Sequence, residues 1–80
     1  MKIQILFFGI TTDLIGASNI DLEVVNALTV ARFKSLLKEE YPQLKNINSY
    51  AIAVNESYAT DELVLKENDV IAIIPPVSGG

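Results

Sequence analysis

The two ends of this chain carry strand-like runs that are apolar on both of their alternating sides. The first strand reads KIQILFF over residues 2–8 and the last reads VIAII over residues 70–74. Both alternating sets are apolar in each: Ile5 and Phe7 against Leu6 and Phe8, and Ile71 and Ile73 against Ala72 and Ile74. Strands of this kind are typical of the centre of a sheet, where both faces are covered and neighbouring strands often run parallel. The pattern therefore favours central positions for the first and last strands, as parallel neighbours.

The segment between these runs begins with a predicted hairpin and continues into one helix. Residues 9–19 include Gly, Ser and Asn and are predicted to be loop. Residues 20–25 alternate apolar with acidic side chains, which indicates a half-buried strand. Thr29 can cap the N-terminus of a helix, and Pro42 stops it. Apolar residues follow helical spacing between them, at Val30, Phe33, Leu36, Leu37 and Tyr41.

The second half of the chain supplies the remaining strands. Residues 50–54 and a short run at residues 57–59 have strand-like composition. Asn55 and Glu56 suit the two-residue turn between them, because Asn tolerates a positive φ better than most residues. The predicted order of elements is therefore β-β-α-β-β-β.

This order defines an α+β fold, with a mixed sheet of four or five strands and one main helix packed on one face. We expect residues 1–80 to form a single domain, with residues 75–80 as a flexible extended C-terminal tail. One helix of about three turns covers only one face of such a sheet. The other face of the sheet is covered either by another molecule or by the loops 9–19 and 42–49. The sequence pattern does not decide between these two possibilities.

Composition narrows the possible chemistry. The chain has no cysteine and no histidine, which excludes thiol nucleophiles, disulfides, zinc sites of the Cys/His type and imidazole bases. We therefore expect no catalytic machinery of its own. The acidic residues of two turns match no calcium loop, and solvation of the turns explains them better, so no metal site is predicted. These residues are Asp61, Glu62, Glu67 and Asp69.

Charge and hydropathy indicate the kind of partner and the compartment. The formal net charge is −4 and the six basic residues are scattered, so no nucleic-acid partner is predicted. The apolar start is short and is interrupted by Gln4, unlike a signal peptide. No window approaches the roughly 20 apolar residues of a membrane span, so no membrane partner is predicted. The lack of cysteine fits a cytoplasmic location.

The last eight residues, IIPPVSGG, are the most specific motif of the sequence. Pro75 and Pro76 each fix φ near about −65° and hold the chain extended. Gly79 and Gly80 have no Cβ, so the backbone can approach another molecule closely. Six residues from Pro75 onward reach at most about 20 Å, far enough to enter a partner's tunnel. The alternative is a disordered end without a role.

The sequence resembles a known family over all 80 residues. A hairpin, a helix, further strands and a free Gly-Gly end resemble the ubiquitin-like β-grasp fold. LFFG near the start, VN before a short strand, and NDVIAIIPPVSGG are similar to the small subunit of molybdopterin synthase, a sulfur carrier. The chain therefore looks like part of a sulfurtransferase.

The resemblance implies a chemistry for the tail. An E1-like adenylating enzyme activates the carboxylate of Gly80 with ATP, and sulfur from a donor then gives a thiocarboxylate. The tail inserts into the large synthase subunit, in a heterotetramer, and donates sulfur to cyclic pyranopterin monophosphate. Gly80 is thus the reacting residue, and no cofactor is permanently bound. The inserted residues are Pro75, Pro76, Val77, Ser78 and Gly79.

The resemblance also implies a partner-binding patch formed by Phe8, Tyr58 and Ile74. Ordinary core positions are the alternative for Phe8 and Ile74, and simple solvent exposure is the alternative for Tyr58. The sequence departs from the family at Ile73 and Ile74, where aromatic residues are common. It departs again at Thr12, where a basic residue often pairs with the activating enzyme.

Three other functions stay open on the sequence alone. The thiamine-pathway sulfur carrier has the same fold and also ends in Gly-Gly, although the Pro-Pro-Val-Ser spacing favours the molybdenum pathway. A ubiquitin-like modifier that forms isopeptide bonds to lysines would need the same activated Gly80. A plain binding module would have a tail without any role.

Overall fold

The computed structural model describes residues 1–46 and 50–75. The fold is α+β, with a mixed five-stranded sheet and one main helix, as predicted. Its elements, in chain order, are β1 (Lys2–Phe7), α1 (Ile10–Ile15), β2 (Asn19–Glu23), α2 (Val30–Glu40), a 3-10 helix (Pro42–Asn46), β3 (Ala51–Val54), β4 (Ser57–Tyr58) and β5 (Val70–Ile74).

β1 and β5, the two strands with apolar residues on both sides, are neighbours in the sheet. This confirms the prediction that the first and last strands are parallel neighbours. The strand order is β2-β1-β5-β3-β4, and β1 pairs with β5 in parallel while the other pairs are antiparallel. The last parallel pair is Phe7 with Ile73. Parallel strands run in the same direction, so the residues that follow this pair in each chain segment, Phe8 and Ile74, are also close together.

The core lies between the sheet and α2. Thr29 caps α2 as predicted, because its hydroxyl accepts a hydrogen bond from the Arg32 N–H at 3.3 Å. From α2, the side chains of Val30, Phe33 and Leu37 are fully buried. They face one alternating set of the sheet, formed by Ile3, Ile5, Phe7, Ile52, Val54, Ile71 and Ile73.

The prediction that residues 9–19 are loop is wrong over seven of them: the six residues of α1, and Asn19, which begins β2. Ile10–Ile15 form the short helix α1, which has no side-chain N-cap. Gly16 ends it in the left-handed conformation, with φ 83°, and its N–H bonds to the Thr12 carbonyl at 2.9 Å. Thr11 is fully buried and Ile15 packs on the core, so tertiary contacts stabilise a helix that is too short to be stable alone.

The turn between β3 and β4 has the predicted geometry. Asn55 and Glu56 have φ values of 50° and 72°, so both central residues of the two-residue turn are left-handed. The Asn55 side chain donates to Asp69 Oδ1 at 2.9 Å and accepts from the Val70 N–H at 3.0 Å. These bonds attach the turn to the start of β5, which fixes the edge strand β4 relative to the sheet centre.

Candidate functional site

The face of the sheet opposite α2 is polar where β1 pairs with β2, at Lys2, Gln4, Asp21 and Glu23. Over β5, β3, β4 and the end of β1 it carries an open apolar patch. One row of cross-strand neighbours crosses it: Leu6 pairs with Ala72, Ala72 with Ala53, and Ala53 with Tyr58. These residues alternate with the core set, so they point to the other side of the sheet. We call this surface the open face and define it by Leu6, Phe8, Ala53, Tyr58, Val70, Ala72 and Ile74.

The structure brings the three predicted partner-binding residues together on the open face. Phe8, Tyr58 and Ile74 line one shallow concavity of about 310 Å³. Phe8 is 48% exposed and Tyr58 is 77% exposed, while Ile74 is half-buried. The core alternative does not hold for Phe8, because its neighbour Phe7 occupies the buried position instead.

The described parts of the two loops that could have covered the open face, residues 9–19 and 42–46, contribute side chains to the core on the side of α2. Leu44, in the 3-10 helix, is fully buried in the helix-side core, and Ile15 of α1 packs against the same core. Gln43 Nε2 donates to the Leu14 carbonyl at 3.1 Å and joins the two segments there. Within residues 1–46 and 50–75, no element folds across the open face.

A turn anchored by two threonines closes the end of β1. The Phe8 N–H donates to Thr11 Oγ1 at 2.9 Å, and the Thr11 hydroxyl donates back to the Phe8 carbonyl. The Thr12 hydroxyl donates to the Phe7 carbonyl at 2.9 Å. The hydroxyl groups of Thr11 and Thr12 therefore fix the backbone at Phe7 and Phe8. Sequence reasoning missed the role of Thr11, although two threonines directly after a strand and a glycine are a recognisable signal for such bonds.

The tail begins beside this turn. Pro75 is half-buried, and a Cβ added to Gly9 would lie 3.1 Å from Pro75 Cγ. The remaining predicted tail residues, Pro76, Val77, Ser78, Gly79 and Gly80, lie outside the described residues. The first residue of the tail thus lies beside Gly9, the residue that follows Phe8.

Three of the four acidic residues weighed as metal ligands have local structural partners. Glu67 Oε2 accepts from the Lys2 N–H at 3.0 Å, and Asp69 Oδ2 accepts from the Lys66 N–H at 2.7 Å. Asp61 pairs with Lys34 at 2.8 Å. The part of the chain that the structure describes contains no cluster of three or more acidic side chains placed to hold a metal ion. Nor does any helix there have the length and apolar character needed to cross a membrane.

The order of the strands and the packing of one main helix against the sheet define the ubiquitin-like β-grasp class, as the sequence predicted. Comparison with known proteins then gives the family. The chain belongs to the ThiS family, whose model matches residues 5–80. The resemblance to sulfur-carrier proteins drawn from the sequence is thereby confirmed.

Individual relatives agree with this assignment. The molybdopterin synthase sulfur carrier subunit of Arabidopsis thaliana is 32% identical over 81 residues, covering 100% of this chain and 84% of that protein. A solved complex of subunits 1 and 2 of molybdopterin-converting factor from Helicobacter pylori contains a chain that is 29% identical, with a TM-score of 0.72 and full coverage of both chains. Small archaeal modifier protein 1 from Haloferax volcanii shares the fold, with a TM-score of 0.84, 18% identity and coverage of 95% and 98%.

Proposed function

We propose that this chain is a sulfur carrier of molybdenum cofactor biosynthesis and acts as the small subunit of molybdopterin synthase. The observation that carries the proposal is the position of Pro75 beside Gly9, the residue that follows Phe8 of the open apolar face. A partner that covers this face would also receive the tail, since the tail begins there. Relatives of matching length named as sulfur carrier subunits support the same role.

The proposed partner on the open face is the large subunit of the synthase, in a heterotetramer. Phe8 and Tyr58 are aromatic and exposed, and aromatic anchors surrounded by apolar contacts are typical of the energetically important part of an interface. Ala53 and Ala72 lie between them and leave the shallow concavity into which a partner side chain can pack. The H. pylori complex of subunits 1 and 2 supports this choice of partner.

The proposed chemistry takes place at the carboxylate of Gly80. An E1-like enzyme joins this carboxylate to the AMP part of ATP and releases pyrophosphate. Hydrosulfide released by a donor then attacks the carbonyl carbon, the C–S bond forms, and the bond to AMP breaks, so that AMP and the proton of hydrosulfide leave. The resulting thiocarboxylate donates its sulfur to cyclic pyranopterin monophosphate in the large subunit. ATP is thus consumed by the activating enzyme and is not held by the carrier.

The composition of the tail suits delivery into another protein. Gly79 and Gly80 have no side chains, so the reacting carbon can enter a narrow channel. The two prolines favour an extended chain, which reaches at most about 20 Å from Pro75. The proposal places residues 75–80 outside the folded domain as a flexible tail, and places the protein in the cytoplasm.

The intact mass of the protein tests the proposal directly. After incubation with the activating enzyme, ATP and a sulfur source, we expect a gain equal to the replacement of one oxygen by sulfur. A variant lacking Gly79 and Gly80 should fold equally well and show no gain. If the truncated variant still supported molybdopterin formation with the large subunit, the sulfur-carrier proposal would be wrong.

Two further experiments separate the alternative functions. In strains lacking each carrier, rescue of thiamine synthesis without rescue of molybdoenzyme activity would assign the chain to the thiamine pathway. Lysines bearing a Gly-Gly remnant traceable to this tail would identify a protein modifier. Our proposal predicts rescue of molybdoenzyme activity and no such remnant.

A further inference from the structure

Gly9 is the residue against which the first proline of the tail packs. An ideal Cβ on Gly9 would lie 3.1 Å from Pro75 Cγ, closer than nearly all real Cβ contacts. Apart from its chain neighbours, no other heavy atom of the described residues lies within 4 Å of that position. Among the described residues beyond its chain neighbours, a methyl group at this site would therefore press only on the Pro75 ring.

The backbone of Gly9 is held in a conformation that side chains rarely allow. Its φ is 55° and its ψ is −133°, a combination that is accessible chiefly to glycine. The Thr12 N–H donates to the Gly9 carbonyl at 3.1 Å, and the hydroxyl of the fully buried Thr11 bonds to both backbone groups of Phe8. Because hydrogen bonds fix the turn on both sides of Gly9, any added bulk is relieved most easily by moving Pro75.

We propose that Gly9 is a positioning residue that sets where the tail leaves the sheet. Its bare Cα lets Pro75 pack closely against the end of β1, so the tail starts next to Phe8. This inference rests on the proposed function, because it assigns Gly9 a part in delivering Gly80 to the large subunit. It adds a residue outside the tail and outside the partner-binding patch.

The position of Pro75 fixes the point from which the last five residues of the chain start. Those five residues carry the terminal carbon that has to reach the reaction site in the large subunit. Misplacement of a reacting group by about 1 Å can lower a rate by about a hundredfold. The position of Pro75 should consequently affect sulfur transfer more than it affects docking.

The test compares Gly9→Ala with Gly16→Ala. Gly16 also has a positive φ, 83°, but no described residue beyond its chain neighbours lies within 4 Å of the position that a Cβ would take there, so it controls for a Cβ added at a positive φ without a steric contact. Its left-handed conformation is less strained for alanine than that of Gly9, so the drop in melting temperature should be smaller for Gly16→Ala. Both variants should melt at a lower temperature than the parent. Only Gly9→Ala should move the NMR signals of Pro75 and lower the single-turnover rate of sulfur transfer, by about tenfold or more. Its affinity for the large subunit should stay within about threefold of the parent.

A double variant isolates the contact between the two residues. Pro75→Ala removes the ring that a Gly9 methyl would meet, so Gly9→Ala combined with Pro75→Ala should lose less transfer rate than the sum of the single effects predicts. Strictly additive effects, or equal effects of Gly9→Ala and Gly16→Ala on the Pro75 signals, would overturn the inference. If Gly9→Ala does not fold, Pro75→Ala alone still tests it, because loss of the ring should move the amide signal of Gly9 and an unmoved signal would count against the contact.

The same measurements distinguish this inference from the proposed function. If the parent protein accepts no sulfur in the intact-mass experiment, the proposed function fails whatever happens at Gly9. If the parent accepts and transfers sulfur but Gly9→Ala transfers it at the parent rate, only the positioning role of Gly9 fails.

Discussion

The two faces of the sheet are built by the same central strands, yet they differ in what covers them. On the helix side, Ile5, Ile71 and Ile73 have no exposed surface. On the open face, Phe8 is 48% exposed and Tyr58 is 77% exposed. Alternate residues of one strand are therefore chemically alike but have different uses: one set holds the domain together, and the other set remains available to a partner.

The largest expected effect is a difference in stability between variants of two adjacent phenylalanines, one on each face of the sheet. Phe7 is 2% exposed and Phe8 is 48% exposed. Phe7→Ala should lower the free energy of unfolding by about 3–5 kcal/mol, because it leaves a cavity in the core. Phe8→Ala should lower it by no more than about 1 kcal/mol, because much of its ring is already in water. Urea denaturation of both variants measures the difference.

Ile73→Ala and Ile74→Ala provide a second matched pair on the neighbouring strand. Ile73 is fully buried and Ile74 is only half-buried on the open face. The stability loss should again be larger for the residue on the helix side. Equal losses within either pair would mean that the two faces do not differ in the way the structure indicates.

The next effect concerns binding to the large subunit and depends on the proposed function. Phe8→Ala should weaken the complex by about 2 kcal/mol, or about 30-fold in the dissociation constant, because exposed aromatic residues at an interface centre contribute most of the binding energy. Titration calorimetry measures it. Val25→Ala is the control, since Val25 is 71% exposed but lies outside the open face. A Phe8 variant that bound as tightly as the Val25 variant would remove the open face from the interface.

Most of the sheet was predictable because its signals are local or repeat along the chain. The doubly apolar runs gave the central strands, Asn55 and Glu56 gave the turn, and Thr29 gave the start of α2. α1 was not predictable in the same way. It has six residues and no side-chain N-cap, and it is held by the burial of Thr11, which depends on the complete fold.

The orientation of the central strands could not be derived from their pattern. Since both alternating sets are apolar, nothing in the run FF says whether Phe7 or Phe8 faces the helix, and II at 73–74 is equally ambiguous. The resemblance to a family placed Phe8 and Ile74 on the partner side, and the structure puts both on the open face. That no described loop covers this face also required the structure, because Leu44 and Ile15 are as apolar as a covering segment would be.

A smaller effect is expected at the residue that connects the two faces. Thr11 is buried on the helix side, while its hydroxyl bonds to the backbone of Phe8, whose ring belongs to the open face. Thr11→Val keeps the shape but leaves both backbone groups of Phe8 without that partner. We expect a loss of about 1–2 kcal/mol in the free energy of unfolding. Chemical denaturation measures it.

The control for Thr11 is Thr60→Val, on the exposed surface, where the change should stay within about 0.5 kcal/mol. Thr11→Val should also weaken binding to the large subunit slightly, because Phe8 is then less firmly held. If Thr11→Val were as harmless as Thr60→Val, the turn at the end of β1 would not link the stability of one face to the presentation of the other.

The smallest expected effect is a pH dependence that arises at the helix-side core. Tyr50 is partly buried and packs against that core. Burial raises the pKa of the Tyr50 hydroxyl above its ordinary value, and the nearby Lys34 ammonium opposes this rise. Above about pH 10, the unfolded chain loses the Tyr50 proton while the folded chain keeps it. The stabilising contribution is therefore complete below about pH 10 and is lost as the pH rises through the folded-state pKa.

Replacing Tyr50 tests this coupling, with a variant of an exposed tyrosine as the control. Urea denaturation between about pH 8 and pH 11 should show a shallower alkaline loss of stability for Tyr50→Phe than for the parent. Tyr58→Phe removes the same hydroxyl from the open face and leaves Tyr50 in its buried position, so it should retain the alkaline loss that Tyr50 causes. A Tyr50→Phe protein with the alkaline slope of the parent would show that the ionisation of Tyr50 is not coupled to folding.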